Sequence, residues 1–348
     1  MAKAKEAAAD IGSQLEHIER DGGTGDLDFG RAGSLHVSSL AKPYFEKGTT
    51  KGGLMRYYAK VWDALAPHVR DRPLVLKRYP DGASGPMFFQ QNAGEHVPEI
   101  VRVESLDTRD DGAKPRIVGG DLATLLYTVQ IGSIEVHPWL SRVASVDTPD
   151  RCLIDLDPGD DVPFSQVVAL TRMLLAIIRD AGLQAGVKTS GSSGIHLVIP
   201  LPAGVSYDTS GELAMRIARV GVARHPETAT VERSLSSRPA GTIYVDPMQN
   251  ARGKSMACAY SVRAKEGAPV STPLSERELT ARLRLSAFTV STVPRRVARL
   301  GDLWAAALAP APSKRAIARA MQVLEQMLED APLATKPKRG QNRSRSRR

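Results

Sequence analysis

Two aspartates one residue apart, in the run Ile154-Asp155-Leu156-Asp157-Pro158, and a third acid closing Tyr244-Val245-Asp246 are the residues of this chain best suited to chemistry. Their apolar neighbours predict strands, and alternation puts Asp155 and Asp157 on one face with Ile154 and Leu156 on the other. Carboxylates held so close repel unless a cation lies between them. Hard oxygen donors suit Mg²⁺ or Mn²⁺ better than zinc, and phosphoryl transfer is the chemistry such a site performs. An Asp-x-Asp alone more often marks a turn or a solvated pair. Here the apolar strand pattern, and Pro247 directly behind Asp246, give it context.

Other residues are ambiguous on their own. His196 follows Ser190-Gly191-Ser192-Ser193-Gly194, a turn whose small residues could aim successive backbone N–H groups at an anion, although an ordinary hairpin turn fits as well. His196 and His137 both sit in apolar surroundings and read equally as core histidines. Neither has a partner at zinc-ligand spacing. Lys77, Arg78, Tyr79, Phe88 and Phe89 mix cations with rings, as nucleic-acid grooves do, though core packing would also explain the phenylalanines. Two decoys fail. Gly253-Lys254-Ser255 resembles the end of a P-loop, but the required first glycine falls at Met248. Tyr79-Pro80-Asp81-Gly82 resembles the Lys-x-Asp-Gly of covalent nucleotidyl transferases with tyrosine in place of the nucleophile, so no adenylated enzyme is expected there.

The elements that must position these residues mix hairpins and helices, which predicts an α+β fold. Helices are expected over about 50–66, 121–131, 164–181, 208–223, 275–285 and 313–330, and strands over 152–156, 185–189, 195–199, 242–245 and 256–262. Residues 1–33 read as a flexible lead-in, a short Ala-rich helix over 2–20 followed by a Gly/Asp-rich stretch over 21–33, with 34–307 as the catalytic domain, 308–335 as a C-terminal helix and 336–348 as a disordered basic tail. The tail holds seven cations and no acid, so the net charge of +9 is partly its doing. With 348 residues, 42% of them hydrophobic, the chain can bury a large core. Only two cysteines, Cys152 and Cys258, and no long apolar run near the start predict a soluble, reduced, cytoplasmic protein with no membrane attachment; a nucleoid-associated monomer is expected.

Taken in order, these segments resemble the polymerase domain of bacterial ligase D, the end-joining branch of the archaeo-eukaryotic primase superfamily, over residues 35–307. The residues that carry the resemblance are Gly48-Thr49-Thr50-Lys51, Arg72-Pro73, Lys77-Arg78-Tyr79-Pro80-Asp81-Gly82, Phe88-Phe89, Glu135-Val136-His137 and Asp155-Leu156-Asp157-Pro158-Gly159. They continue with Thr189-Ser190-Gly191, Gly194-Ile195-His196-Leu197, Val245-Asp246 with Gln249-Asn250, and Ala259-Tyr260-Ser261-Val262-Arg263. The resemblance implies a primase-like catalytic core in which Asp155, Asp157 and Asp246 hold two Mn²⁺ or Mg²⁺ ions. It implies that His137, Ser190 and Arg263 reach the triphosphate of an incoming NTP or dNTP, with Arg238 an addition from a loop of different length. Lys77, helped by Lys51, would take a downstream 5′-phosphate, and Phe88 or Phe89 would support the template base. His196 is read as structural or as support for a metal ligand. The resemblance further implies a preference for ribonucleotides, work on gapped or broken DNA, and function beside Ku and a separate DNA ligase, as a stand-alone polymerase. One departure is Ser193, where many relatives carry lysine; weaker triphosphate affinity or a substitute cation is expected.

Two other classes use the same residues. A metal-dependent nuclease or phosphohydrolase would need the same three acids, although Pro158-Gly159 replaces the threonine of the haloacid dehalogenase pattern. A catalytically inactive nucleic-acid-binding module would not need all three.

Overall fold

A computed structural model describes residues 2–46, 48–108 and 112–331, so the basic tail expected at 336–348 lies outside the described residues. The chain opens with α1 (Ala2–Arg20) and an antiparallel pair, β1 (Gly25–Asp28) and β2 (Ser34–Val37). The helix expected over 2–20 forms, but the lead-in expected to be loose over 1–33 is, across its described residues, part of the body. Ile11, Leu15 and Ile18 form a helical stripe that is buried, as is Leu27, and Glu19 pairs with Arg56 on the next helix. The Gly/Asp-rich turn disguises that apolar stripe.

That next helix, α2 (Lys51–Val69), starts where Thr50 Oγ1 accepts the Gly53 N–H at 3.0 Å, and it buries Leu54, Tyr58, Val61 and Leu65. It runs past Pro67, which the sequence marks as its exit. The first large sheet follows: β3 (Arg72–Arg78), β4 (Phe88–Gln90), β5 (Val103–Thr108) and β6 (Gly112–Gly119), then α3 (Leu122–Gln130) capped by Asp121, then β7 (Ser133–Pro138). The strand order is β4-β3-β6-β5, with β7 also pairing with β3.

The second sheet is the clearer product of the sequence. It takes β8 (Arg151–Pro158), α4 (Phe164–Asp180), β9 (Gly186–Thr189), β10 (Ile195–Pro200), α5 (Tyr207–Arg224), β11 (Ala229–Thr230), β12 (Ile243–Asp246) and β13 (Pro273–Leu274). Its order is β11-β12-β8-β10-β9-β13, antiparallel except at β11/β12. The Cys152 thiol meets the Ser210 carbonyl of α5, so the even-numbered face of β8, with Ile154 and Leu156, is the one the helices cover. Asp155 and Asp157 therefore lie on the opposite face. The remaining helices are α6 (Val293–Leu300), α7 (Leu303–Ala307) and α8 (Lys314–Glu329). The last packs Ile317, Ala320 and Leu324 inward and is tied to α5 by Arg216, which reaches the Met321 carbonyl and Glu325.

Two expected elements are absent as drawn. Residues 275–285 form no α-helix: a capping box closes at Glu278, and only the short 3₁₀ turns Glu276–Glu278 and Leu285–Ala287 form. Residues 256–262 are no regular strand but a packed connector. Its Cys258 N–H bonds the Val136 carbonyl, and its Ser261 hydroxyl accepts the Val136 N–H. Sheet-to-sheet cohesion also comes from Arg72, fully buried, which donates to both oxygens of Asp150 at 2.6 Å just ahead of β8.

Candidate active site

The register brings the acids together at the backbone level. Asp246 on β12 pairs directly with Asp155 on β8, and Tyr244 pairs with Asp157. Directly opposed residues of an antiparallel pair project to the same side, so all three acids share the face that α4 and α5 leave open. Their side chains do not converge. Asp246 Oδ1 accepts from the Tyr244 hydroxyl at 3.1 Å and the Met248 N–H at 2.7 Å, and Oδ2 from Gln249 at 3.0 Å. Asp157 is half exposed and pairs with Arg238 at 3.2 Å, whose guanidinium lies 4.6 Å from the Tyr244 ring centre. Among the described residues, no three His, Cys, Asp or Glu side chains are gathered as a ready metal cage. The donor chemistry nevertheless fits a hard divalent cation, since three carboxylates on one face currently engage cationic or neutral donors that a metal could replace. Burial works to raise the Asp155 carboxyl, but His196, Lys188 and Arg263 hold it below its ordinary value.

Beside β8, the turn between β9 and β10 comes extremely close. A Cβ at Gly194 would lie 2.0 Å from the Leu156 carbonyl oxygen, and one at Gly191 would lie 2.6 Å from Arg263 Cγ. No side chain fits at either position. Ser190 Oγ accepts the N–H groups of Ser192 and Gly194, both at 3.1 Å. Those two donors are thus spent inside the turn, which corrects the idea that they aim at an anion. The hydroxyl retains one hydrogen to donate outward. Ser193 is exposed on the same turn.

The strongest electrostatic feature is one that sequence reasoning left without a role. Glu135 on β7 is 2% exposed and sits directly across from Lys77 on β3. Its Oε1 accepts from Lys77 at 3.2 Å, the Tyr79 hydroxyl at 3.1 Å and the Ala264 N–H at 3.2 Å; its Oε2 meets His137 Nε2 and Arg263 Nε, each at 2.8 Å. Burial opposes its charge, yet the His137 hydrogen bond and the cations Arg263 and Lys77 hold it ionised well below the glutamate range. Burial also lowers His137, with Glu135 working against that shift. Arg263 extends from this carboxylate to the Ser190 carbonyl at 2.7 Å, which links three of the expected triphosphate residues, His137, Ser190 and Arg263. Arg238 stands apart from them, on Asp157. The available signal for Glu135 was an acid inside the apolar run Ile134-Glu135-Val136, two residues from His137 and hence on its face.

The expected phosphate lysines separate. Lys77 is committed to Glu135, whereas Lys51 is buried and donates to the Ser38 carbonyl at 2.9 Å. Burial and the nearby charge of Lys42 push Lys51 down to about 8. Lys42, not singled out from the sequence, bonds the Pro80 carbonyl at 2.7 Å and lies 3.5 Å from Asp81. Phe88 and Phe89 are 46% and 61% exposed, which excludes core packing for both, and Arg78 stacks 5.1 Å from the Phe88 ring centre. Tyr79, in the decoy nucleophile position, is buried against Glu135 and held protonated, burial being the largest cause.

Comparisons with known proteins agree on one family. The family model described as LigD, primase-polymerase domain, matches residues 50–304. The multifunctional non-homologous end joining protein LigD of Pseudomonas aeruginosa is 34% identical over 273 residues, 78% of this chain and 32% of that protein. The bifunctional protein LigD of Bacillus subtilis is 32% identical over 269 residues, 77% of this chain and 43% of that protein. This chain therefore spans less than half the length of either. The polymerase domain of Mycobacterium tuberculosis ligase D, solved in complex with DNA, superposes with a TM-score of 0.73 at 29% identity, covering 80% of this chain and 99% of that domain.

Proposed function

The chain belongs to the LigD primase-polymerase family, a family of nucleotidyltransferases, and from that membership we propose a template-directed polymerase of DNA repair that adds nucleotides to a 3′-hydroxyl at short gaps or broken ends. The observation that carries this reading is the register of β8 and β12, which sets Asp155 opposite Asp246 with Asp157 on the same open face. In this reading Asp155, Asp157 and Asp246 hold two Mg²⁺ or Mn²⁺ ions. Such a pair, when bound, lowers the pKa of the attacking hydroxyl and neutralises charge on the leaving pyrophosphate.

The protein's own residues do the positioning. Arg263, braced by Glu135, presents its guanidinium beside Ser190, whose hydroxyl keeps a hydrogen for a phosphate oxygen. His137 is oriented by the same carboxylate. Arg238 neutralises Asp157 before a triphosphate and its cations arrive. Phe88 and Phe89 offer exposed ring faces to a template base. Lys51 and Lys42 are neighbouring like charges, one of them buried, so a dianionic 5′-phosphate would relieve their repulsion. Lys77 contributes through Glu135.

The test is extension of a one-nucleotide gap with NTPs and dNTPs in Mg²⁺ and in Mn²⁺, against an open primer-template and an unprimed template, each with and without a downstream 5′-phosphate. Metal-dependent lengthening supports the polymerase, and a preference for NTPs supports ribonucleotide use. Shortening of the primer would indicate a nuclease, and binding without turnover an inactive module. The relatives' role in non-homologous end joining leads us to propose Ku and a DNA ligase as working partners. Stimulation of extension by Ku at a blunt or cohesive end checks that part.

A further inference from the structure

Lys188 is fully buried in β9, in register with His196 on β10, which is itself in register with Asp155 on β8. The three side chains form a continuous line across the sheet. Lys188 Nζ lies 2.7 Å from His196 Nδ1 and 2.7 Å from Ser271 Oγ, and His196 Nε2 lies 3.3 Å from Asp155 Oδ1. A fully buried amine between Val187 and Thr189 is costly unless its hydrogens are spent.

Hydrogen counting sets the direction of the line. The Ser271 hydroxyl donates to the Thr189 carbonyl at 2.8 Å, so toward Lys188 it must accept. Lys188 therefore gives one hydrogen to Ser271 and has another for His196. A charged amine can only donate. In the neutral form, toward which burial pushes Lys188 by lowering it to about 7, the amine also carries a lone pair. There it is the Asp155 carboxylate, able only to accept, that keeps the ring hydrogen on Nε2 and leaves Nδ1 to accept from Lys188. His196 Nδ1 accepts, which leaves the ring hydrogen on Nε2, the nitrogen facing Asp155. We infer that Lys188 is a positioning residue: through Ser271 and His196 it locks the Nε2–H tautomer, and that N–H fixes Asp155 Oδ1 so that Oδ2 is the oxygen left for a cation. Outer partners of this kind fix the orientation of a ligating group and tune its affinity. The inference rests on the proposed role of Asp155 as a metal ligand, and its first half stands without it.

The experiment uses the full chain, free of DNA and nucleotide. Nitrogen-15 NMR of labelled histidines, with His196→Asn to assign the signal, reads the tautomer directly. Mn²⁺ titration followed by electron paramagnetic resonance reads affinity. The wild type should show an unprotonated Nδ1 and a protonated Nε2. Lys188→Met, which keeps the bulk and removes the donor, should populate the Nδ1–H form and weaken Mn²⁺ binding by about 10- to 100-fold. A wild-type spectrum with the proton on Nδ1 overturns the assignment whatever the variant does. So does a folded Lys188→Met protein that keeps both tautomer and affinity. Wild-type protein with the Nε2–H tautomer and no Mn²⁺ affinity would instead overturn the metal reading, leaving the tautomer assignment supported.

Discussion

Asp246 differs from Asp155 and Asp157 in what else it does. Its carboxylate closes the turn after β12 by accepting from Tyr244, Met248 and Gln249, whereas Asp157 faces Arg238 at a half-exposed position. Asp155→Asn and Asp157→Asn should therefore abolish nucleotide addition, by at least about a thousand-fold, because each loses charge and keeps shape. The change at half-exposed Asp157 should cost little thermal stability, whereas that at Asp155, whose charge is favoured by His196 and Lys188, should cost more. Asp246→Ala should lose activity and also about 1–3 kcal/mol of stability, as its three donors are left without an acceptor. Single-turnover extension and denaturant melts on the same samples separate the two effects; near-normal activity in any one variant would remove that aspartate from the site. Lys51 carries a prediction in pH. Its folded-state pKa is lowered to about 8 from an ordinary 10.5, so between those values the unfolded chain binds more protons and stability rises with pH. Lys51→Met should flatten that rise, and should bind gaps with and without a 5′-phosphate more equally than the wild type does. Parallel pH–stability curves would contradict the burial of this ammonium.

Between elements, Glu135 is the junction. A side chain on β7 gathers Lys77 and Tyr79 from β3 and its continuation, and Arg263 and Ala264 from the connector after residue 256. Because its folded pKa is depressed, the stability it supplies is fully present above the ordinary glutamate range and is lost as pH falls through the folded value. Glu135→Gln should lower stability at pH 7 by about 3–5 kcal/mol, the cost of leaving buried cations without their counterion. The gap to wild type should shrink below about pH 4, where unfolded-state glutamate begins to be protonated. Triphosphate affinity should fall with it, since Arg263 and His137 lose their brace. Denaturant titrations from pH 3 to 8, with nucleotide binding at pH 7.5, test both parts; a pH-independent difference would deny Glu135 its charge.

At the scale of the molecule, the N-terminal arm behaves as part of the domain. Leu15 and Leu27 are fully buried, and the Glu19–Arg56 pair fastens α1 to α2. Removing residues 1–33 should therefore destabilise the whole fold, each fully buried leucine lost accounting for about 2–3 kcal/mol. A flexible lead-in would be removable at no cost. One cooperative melt at lowered temperature, seen by far-UV circular dichroism, supports integration, while an unchanged midpoint would restore the lead-in reading. No helix among the described residues is long and apolar enough to cross a membrane.

The sequence by itself determined what depends on local period and on ordered motifs. Alternation in Ile154-Asp155-Leu156-Asp157 was enough to put both acids on one face, and the α+β core and its family were legible because the blocks from Gly48 to Arg263 occur in order. Only the tertiary structure decided which distant groups meet. The register of β8 against β12 set Asp155 opposite Asp246, and that of β10 and β9 set Lys188 behind His196. Burial withdrew Lys51 from the surface that a lysine ordinarily occupies, and the Ser192 and Gly194 N–H groups turned inward to the Ser190 hydroxyl, which the tight turn brings within hydrogen-bond reach of both. The reason is physical: a side chain's face follows from its neighbours along the strand, whereas its partner and its charge follow from packing between segments far apart in the chain.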